Sequence, residues 1–212
     1  MPKIITISRE FGSGGRELGK RMSDYLGFAY FDKEILSAVA EQTETDEQYA
    51  QKLLEGRMLP HVPLHFGRSL SYYSPLTQKA VSLMVAEQKV IKALASRGDC
   101  IIVGRGANVI LENRQPFTIF VYADMASKVA RCRKRAMEDE KLSDKELEKK
   151  IRQVDLARAS GQNASSDFKW GQKEYYHLCV NTSAVSIKEI TPIIGEYAKK
   201  WLGENGKKGD QS

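Results

Sequence analysis

The sequence predicts a three-layer α/β domain with a parallel sheet, and three features carry that expectation. An apolar run over residues 4–7 passes into a glycine-rich turn and then into a helical pattern. Residues 100–103 (Cys-Ile-Ile-Val) are continuously apolar, as a strand covered on both faces must be. Short β-rich runs alternate with longer helical stretches, an order that yields parallel strands joined by right-handed crossovers. With 212 residues, 42% hydrophobic and 28% charged, the chain can bury one substantial core.

Ile4, Ile5 and Ile7 form the first strand, and the helix that follows, from Arg16, carries Leu18, Met22 and Leu26 at helical spacing. Gly27 stands where a helix end takes a left-handed residue. Residues 28–31 make a second short strand, after which Asp32 can cap a helix through Ile35, Leu36 and Val39. Residues 43–74 pass from acidic helical sequence to Pro60, Pro63 and Gly67, a composition of connecting or lid-like structure that receives no detailed assignment. Pro75 opens a long helix, its missing N–H costing nothing in the first turn, and Arg97-Gly98 ends it. The apolar strand 100–103 then runs into Gly104-Arg105-Gly106. A further strand spans 117–122, and a basic helix runs from Asp124 to about Met137. Ser143 and Glu146 have capping-box spacing for a helix whose Leu147, Ile151 and Val154 share one face. A strand at 177–180, a helix over 186–202 and a polar tail over 203–212, expected to be disordered, complete the chain.

The composition also excludes function classes. No apolar stretch approaches a membrane span and the N-terminus turns polar after a short run, so a cytoplasmic protein without a secretion signal is expected. Cys100, Cys132 and Cys179 are odd in number and lack C-x-x-C spacing, which indicates neither a disulfide framework nor a zinc site. His61, His65 and His177 likewise lack ligand spacing, and no protein metal site is expected. The formal charge of +6 suits a cleft that offsets several phosphates. No aromatic-basic interleaving or helix-turn-helix pattern points to nucleic acid as a partner.

The residues that carry chemistry begin at Ser8-Arg9-Glu10-Phe11-Gly12-Ser13-Gly14-Gly15-Arg16. A glycine turn between a buried strand and a helix aims several backbone N–H groups into one concavity beside the positive end of the helix dipole, and such a turn binds phosphate. Gly12, Ser13, Gly14 and Gly15 form the turn, and Arg16 puts a cation at its mouth. The competing explanation is a tight βα turn that happens to be rich in glycine. The pattern G-x-x-x-x-G-K-[ST] would align Arg9 with the first glycine, Gly14 with the second, Gly15 with the lysine and Arg16 with the hydroxyl residue, so only the second glycine is kept. Arg16 or Arg9 could replace the missing charge, but neither can bind metal. A dinucleotide fold is the other alternative, since Asp32 lies at the interval of a ribose-binding acid; its third glycine would fall at Glu17, a carboxylate beside the pyrophosphate.

The segments 5–20, 30–36, 101–108, 120–124 and 178–183 resemble, in order, the cytidylate kinase-like family of bacterial proteins, and the run Ser8 to Arg16 is specific to it. The resemblance implies a P-loop nucleoside-monophosphate-kinase fold with a core, an acceptor-side insert and an arginine-rich lid. Asp32 matches the acid after the second strand of true cytidylate kinases, and Arg105 matches the arginine that grips the acceptor nucleotide. Lys33 is placed near the acceptor phosphate by the same resemblance, and Arg68 is a further residue that could reach it. The carboxylates that flank that arginine are replaced by Val103 and Gly106, so cytosine as the acceptor base is not supported. Arg131 matches the first lid arginine, and Asp155 with Arg158 resembles the pair on the far side of the lid. The alternatives are a solvated basic helix face for Arg131, Arg133 and Arg135, and an exposed near-neighbour pair for Asp155 and Arg158.

The expectation is therefore an ATP-dependent phosphotransferase acting on a nucleoside monophosphate or a similar small acceptor, with Mg²⁺ carried on the nucleotide. Gly12, Ser13, Gly14, Gly15 and Arg16 would hold donor phosphates, Asp32, Lys33 and Arg105 would face the acceptor, and Arg16, Arg131 and Arg158 would be the catalytic cations. One domain would span 1–202, with the acceptor-side insert at about 43–74 and the lid at about 131–170. Small nucleotides are the expected partners, and a homodimer is an open assembly option. The rival is a nucleotide-binding regulatory module that has lost turnover.

Overall fold

The computed structural model of the chain describes residues 1–54, 75–135, 142–165 and 167–206. Five strands, β1 (Ile4–Arg9), β2 (Ala29–Phe31), β3 (Cys100–Val103), β4 (Phe117–Tyr122) and β5 (Leu178–Asn181), form one sheet in the order β2-β3-β1-β4-β5. All four strand pairings are parallel. The helices are α1 (Gly15–Leu26), α2 (Lys33–Gln42), α3 (Glu47–Leu54), α4 (Pro75–Ala95), α5 (Ala107–Ile110), α6 (Met125–Arg135), α7 (Asp144–Ser165) and α8 (Ile187–Gly206).

The alternation of side chains along each strand divides the core in two. Ile5 and Ile7 of β1, with Ile101 and Val103 of β3, face Leu18 and Met22 of α1 and Ile194 and Ala198 of α8. Ile4, Cys100 and Ile102 face the other way, onto Ile35 and Val39 of α2 and Leu83 and Ile91 of α4. Helices thus cover both faces, which is why residues 100–103 are apolar without interruption. This is the three-layer parallel fold expected.

Local signals account for the element ends. Gly27 takes φ 72° and returns its N–H to Ser23 O, closing α1. Pro75 is the first residue of α4. Ser143 and Glu146 make the capping box, with Ser143 N–H donating to Glu146 Oε2 at 2.7 Å and Glu146 N–H to Ser143 Oγ at 3.4 Å. Several boundaries differ from expectation, most by one residue, as where β2 starts at Ala29. The last strand starts at Leu178, and α8 runs through Gly206, past the expected helix end at Leu202. Extending a packed helix by one turn adds a backbone bond for each residue ordered, which offsets the weak propensity of glycine. The insert expected at 43–74 contains α3, and from residue 55 onward it lies outside the described residues, as do His61, His65, Arg68 and the tail from residue 207.

The central strand β1 has β3 on one side and β4 on the other. The chain crosses to opposite sides at this point, leaving a crevice at the carboxyl ends of the strands. The glycine turn sits there. Ile7 is 1% exposed between β3 and β4, and Ile7→Ala is expected to cost about 2–5 kcal/mol of folding stability. Urea unfolding measures it, and a cost well below that range would mean the sheet centre repacks.

Candidate functional site

In the turn between β1 and α1 the carbonyls of Arg9, Glu10 and Ser13 are occupied, whereas five of the amides from Gly12 to Glu17 meet no acceptor among the described residues. Glu10 O accepts from Ser13 N–H (3.4 Å) and Ser13 Oγ (2.8 Å). Ser13 O accepts from Thr182 Oγ1 (2.6 Å) and Arg131 Nη1 (3.4 Å), and Arg9 O accepts from Arg158 Nη1 (3.0 Å). The N–H groups of Gly12, Gly14, Gly15, Arg16 and Glu17 meet no acceptor among the described residues, and no side chain caps α1. Gly12 (φ 76°) and Gly14 (φ 85°) adopt the left-handed backbone that aims these donors outward.

A buried ionic cluster holds the turn from the α6–α7 side. Lys128 of α6 lies 2.7 Å from Glu10 Oε2 and 3.3 Å from Asp155 Oδ2. Asp155 of α7 also accepts the Phe11 N–H at 2.6 Å, and Arg158 lies over the Phe11 ring. Burial pushes the Asp155 carboxyl above its usual range, against the Phe11 hydrogen bond and Lys128. Asp155 and Arg158 are therefore not an exposed pair; both reach into the turn. Of the α6 arginines, Arg131 points inward, donating to Thr182 Oγ1 at 3.2 Å and to Thr182 O, whereas Arg133 pairs with Asp144 and Arg135 with Glu17 at the surface.

On the opposite side Asp32, 5% exposed at the end of β2, pairs with Arg16 and, at 3.6 Å, with Arg9. Arg16 is thus directed toward Asp32. A cleft of about 620 Å³ opens beside α1 and includes Arg16, Tyr30, Asp32, Lys33, Glu34 and Arg135 in its lining. Arg105 is not on that cleft. Gly104, Arg105 and Gly106 are all left-handed (φ 79°, 60° and 62°), a conformation that costs an arginine about 1 kcal/mol. Its guanidinium lies 3.4 Å from Glu87 Oε1, an acid of the neighbouring helix α4. Nearby, Ser8 Oγ is 3.5 Å from Asn108 Oδ1, while Asn108 Nδ2 is buried without a partner among the described residues.

The cytidylate kinase-like family model matches residues 4–184. The chain belongs to that family. No curated protein sequence matches it. Among solved structures, an uncharacterized protein from Eubacterium ventriosum ATCC 27560 is 23% identical at a TM-score of 0.66, covering 93% of this chain and 98% of that one. Shikimate kinase from Bacteroides thetaiotaomicron is 16% identical at TM-score 0.57, with 94% and 99% covered. A gluconokinase from Sinorhizobium meliloti 1021 is 13% identical at TM-score 0.54, with 98% and 97% covered. These likenesses establish the fold as that of P-loop kinases.

In this family member the structure brings Gly12–Arg16, Asp32, Arg131 and Arg158 around one turn, with Lys33 at the start of α2 beside the cleft. Sequence patterns gave no sign of Lys128 or Glu87, since each acts through a partner distant in the chain. Asn108 and Thr182 stood inside the matched segments without an assigned role, and Arg9 stood there as one of two candidates for the missing charge. Among the described residues no helix is long and apolar enough to cross a membrane, and no cluster of three metal-ligating side chains occurs.

Burial pushes the Glu87 carboxyl from 4.5 up to about 7, partly offset by Arg105. The folded chain holds this proton more tightly than the unfolded chain, so the group's contribution to stability is full below pH 4.5 and declines as pH rises through about 7. Glu87→Gln lacks this titration. Its melting temperature relative to wild type is expected to rise between pH 5 and pH 8; parallel pH profiles would show that Glu87 is already ionised throughout.

Proposed function

We propose that this chain is an ATP-dependent phosphotransferase that delivers a phosphoryl group to a small acceptor, with a nucleoside monophosphate as the leading class. The carrying observation is the turn itself: five amides without acceptors among the described residues at the head of α1, beside Arg9, Arg16, Arg131 and Arg158. That donor set fits the oxygens of a polyphosphate. Mg²⁺ would travel on the nucleotide through water, because Arg16 stands where a hydroxyl ligand is usual. Bound there, it would screen charge between phosphates.

Phosphoryl transfer asks the protein mainly to align and to screen. Gly12, Ser13, Gly14, Gly15 and Arg16 hold the donor phosphates in this proposal. Asp32, Lys33 and Arg105 lie toward the acceptor, with Asp32 orienting Arg16 and Arg9. Arg131 and Arg158 now brace the turn through carbonyls of Ser13, Thr182 and Arg9, so service as catalytic cations requires them to exchange those carbonyls for phosphate oxygens.

A second reading, a nucleotide-binding module without turnover, is favoured by Gly15 and Arg16 in place of the lysine and hydroxyl residue. A coupled assay with ATP, Mg²⁺ and a panel of nucleoside monophosphates, shikimate and gluconate separates the two. Turnover with at least one acceptor is expected; ATP binding with no turnover across the panel favours the module, and absence of ATP binding overturns both.

Arg105→Ala is expected to raise acceptor KM about tenfold or more, the loss of one charge-assisted contact. Stability should fall little, because Glu87 can take up a proton when its partner is removed. A large drop in melting temperature with unchanged KM would make Arg105 purely structural.

A further inference from the structure

Resting on the phosphotransferase reading, we propose that Arg9 is the side chain that binds the terminal phosphate of ATP, in place of the lysine absent at residue 15. The argument starts from space. Arg9 leaves the carboxyl end of the central strand, and its stem lies directly against Gly15: a Cβ at residue 15 would stand 2.6 Å from Arg9 Cβ and 3.1 Å from Arg9 Cγ. A lysine cannot occupy residue 15 while arginine occupies residue 9. With glycine at residue 9 both contacts vanish, leaving Val121 Cβ at 3.3 Å as the nearest neighbour.

The two departures from the ordinary P-loop pattern, arginine for the first glycine and glycine for the lysine, are therefore one compensating exchange. The cation is moved from the helix to the strand. Its guanidinium crosses to the end of β3, where a Cβ at Gly104 would collide with Nη1. Gly104 is thus the space that the Arg9 head group fills, between the donor turn and Asp32.

The head group is also chemically unsatisfied. Arg9 makes an ion pair with Asp32 at 3.6 Å, beyond hydrogen-bond length, and Asp32 is held more closely by Arg16. The guanidinium donates no hydrogen bond to any described residue, although the side chain is only 15% exposed. Its backbone carbonyl is fixed by Arg158, so the side chain is aimed from an anchored base. Burial, with Arg158, Arg16 and Arg105 nearby, lowers its pKa to about 9, which still leaves it charged at neutral pH. A largely buried, planar cation with free donors, surrounded by other cations, fits a phosphate group.

The experiment is calorimetry of Mg²⁺-ATP and of ADP with wild type, Arg9→Met, Arg9→Lys and the double variant R9G/G15K, with folding checked by circular dichroism. Arg9→Met should weaken ATP roughly ten- to a hundredfold and ADP by less than about threefold, because only ATP carries the terminal phosphate. R9G/G15K should restore the preference for ATP. Equal losses for ATP and ADP, or none, would remove Arg9 from this role while wild-type ATP binding leaves the phosphotransferase reading standing. If wild type binds no ATP, both fall. Should Arg9→Met not fold, the ATP-to-ADP ratios of Arg9→Lys and R9G/G15K decide: ratios near wild type support the exchange, and a ratio lost in R9G/G15K overturns it.

Discussion

The turn at the end of β1 depends on one asymmetry: protein groups hold the carbonyls of Arg9, Glu10 and Ser13, while the N–H groups of Gly12, Gly14, Gly15, Arg16 and Glu17 meet no acceptor among the described residues. A loop of glycines has no conformation of its own to defend, since glycine carries the largest backbone entropy to be lost on folding. Here that freedom is removed from outside. Thr182 and Arg131 fix Ser13 O, Arg158 fixes Arg9 O, and Asp155 takes the Phe11 N–H. Gly14 packs so closely on Ile187 of α8 that a Cβ there would overlap it, and Gly12 lies against Lys128. The glycines satisfy packing as well as backbone geometry.

The charges are arranged around this asymmetry. Lys128 and Arg158, with Glu10 and Asp155, form a charge-balanced, largely buried cluster on one side of the turn, where each charge has a partner. On the other side Asp32 serves both Arg9 and Arg16, leaving an excess of positive charge. Breaking a fully paired buried cluster costs far more than disturbing an exposed pair. The first cluster thus suits support, and the second, under-compensated one suits contact with an anion.

The fold was legible because its signals are local or periodic. The strand 100–103, the glycine end of α1, Pro75 and the Ser143–Glu146 box each declare themselves within a few residues, and each is found in the structure. The turn was legible for the same reason. What was not legible is who meets whom across the sheet. Nothing near Gly104 in the chain says that its missing side chain makes room for Arg9, nor does the α4 pattern say that Glu87 lies beside Arg105. Those are neighbours through strand order, and strand order is written in no single segment. The helix beyond Leu202 was not foreseen because the residues there are polar and glycine-rich and carry no apolar periodicity.

The hydrogen bond from Thr182 to the Ser13 carbonyl joins residues 169 positions apart. A chain emerging from the ribosome therefore presents the glycine turn long before the residues that give it shape. Until β5 is in register and α8 has started, Ser13 O lacks its partner and Gly14 its neighbour. The glycine turn is written early in the chain but shaped by residues far later in it, so a polypeptide stalled before Thr182 carries the whole motif without its formed geometry. Contacts of such long range also slow folding, because the loop-closure entropy is lost before the contact rewards it.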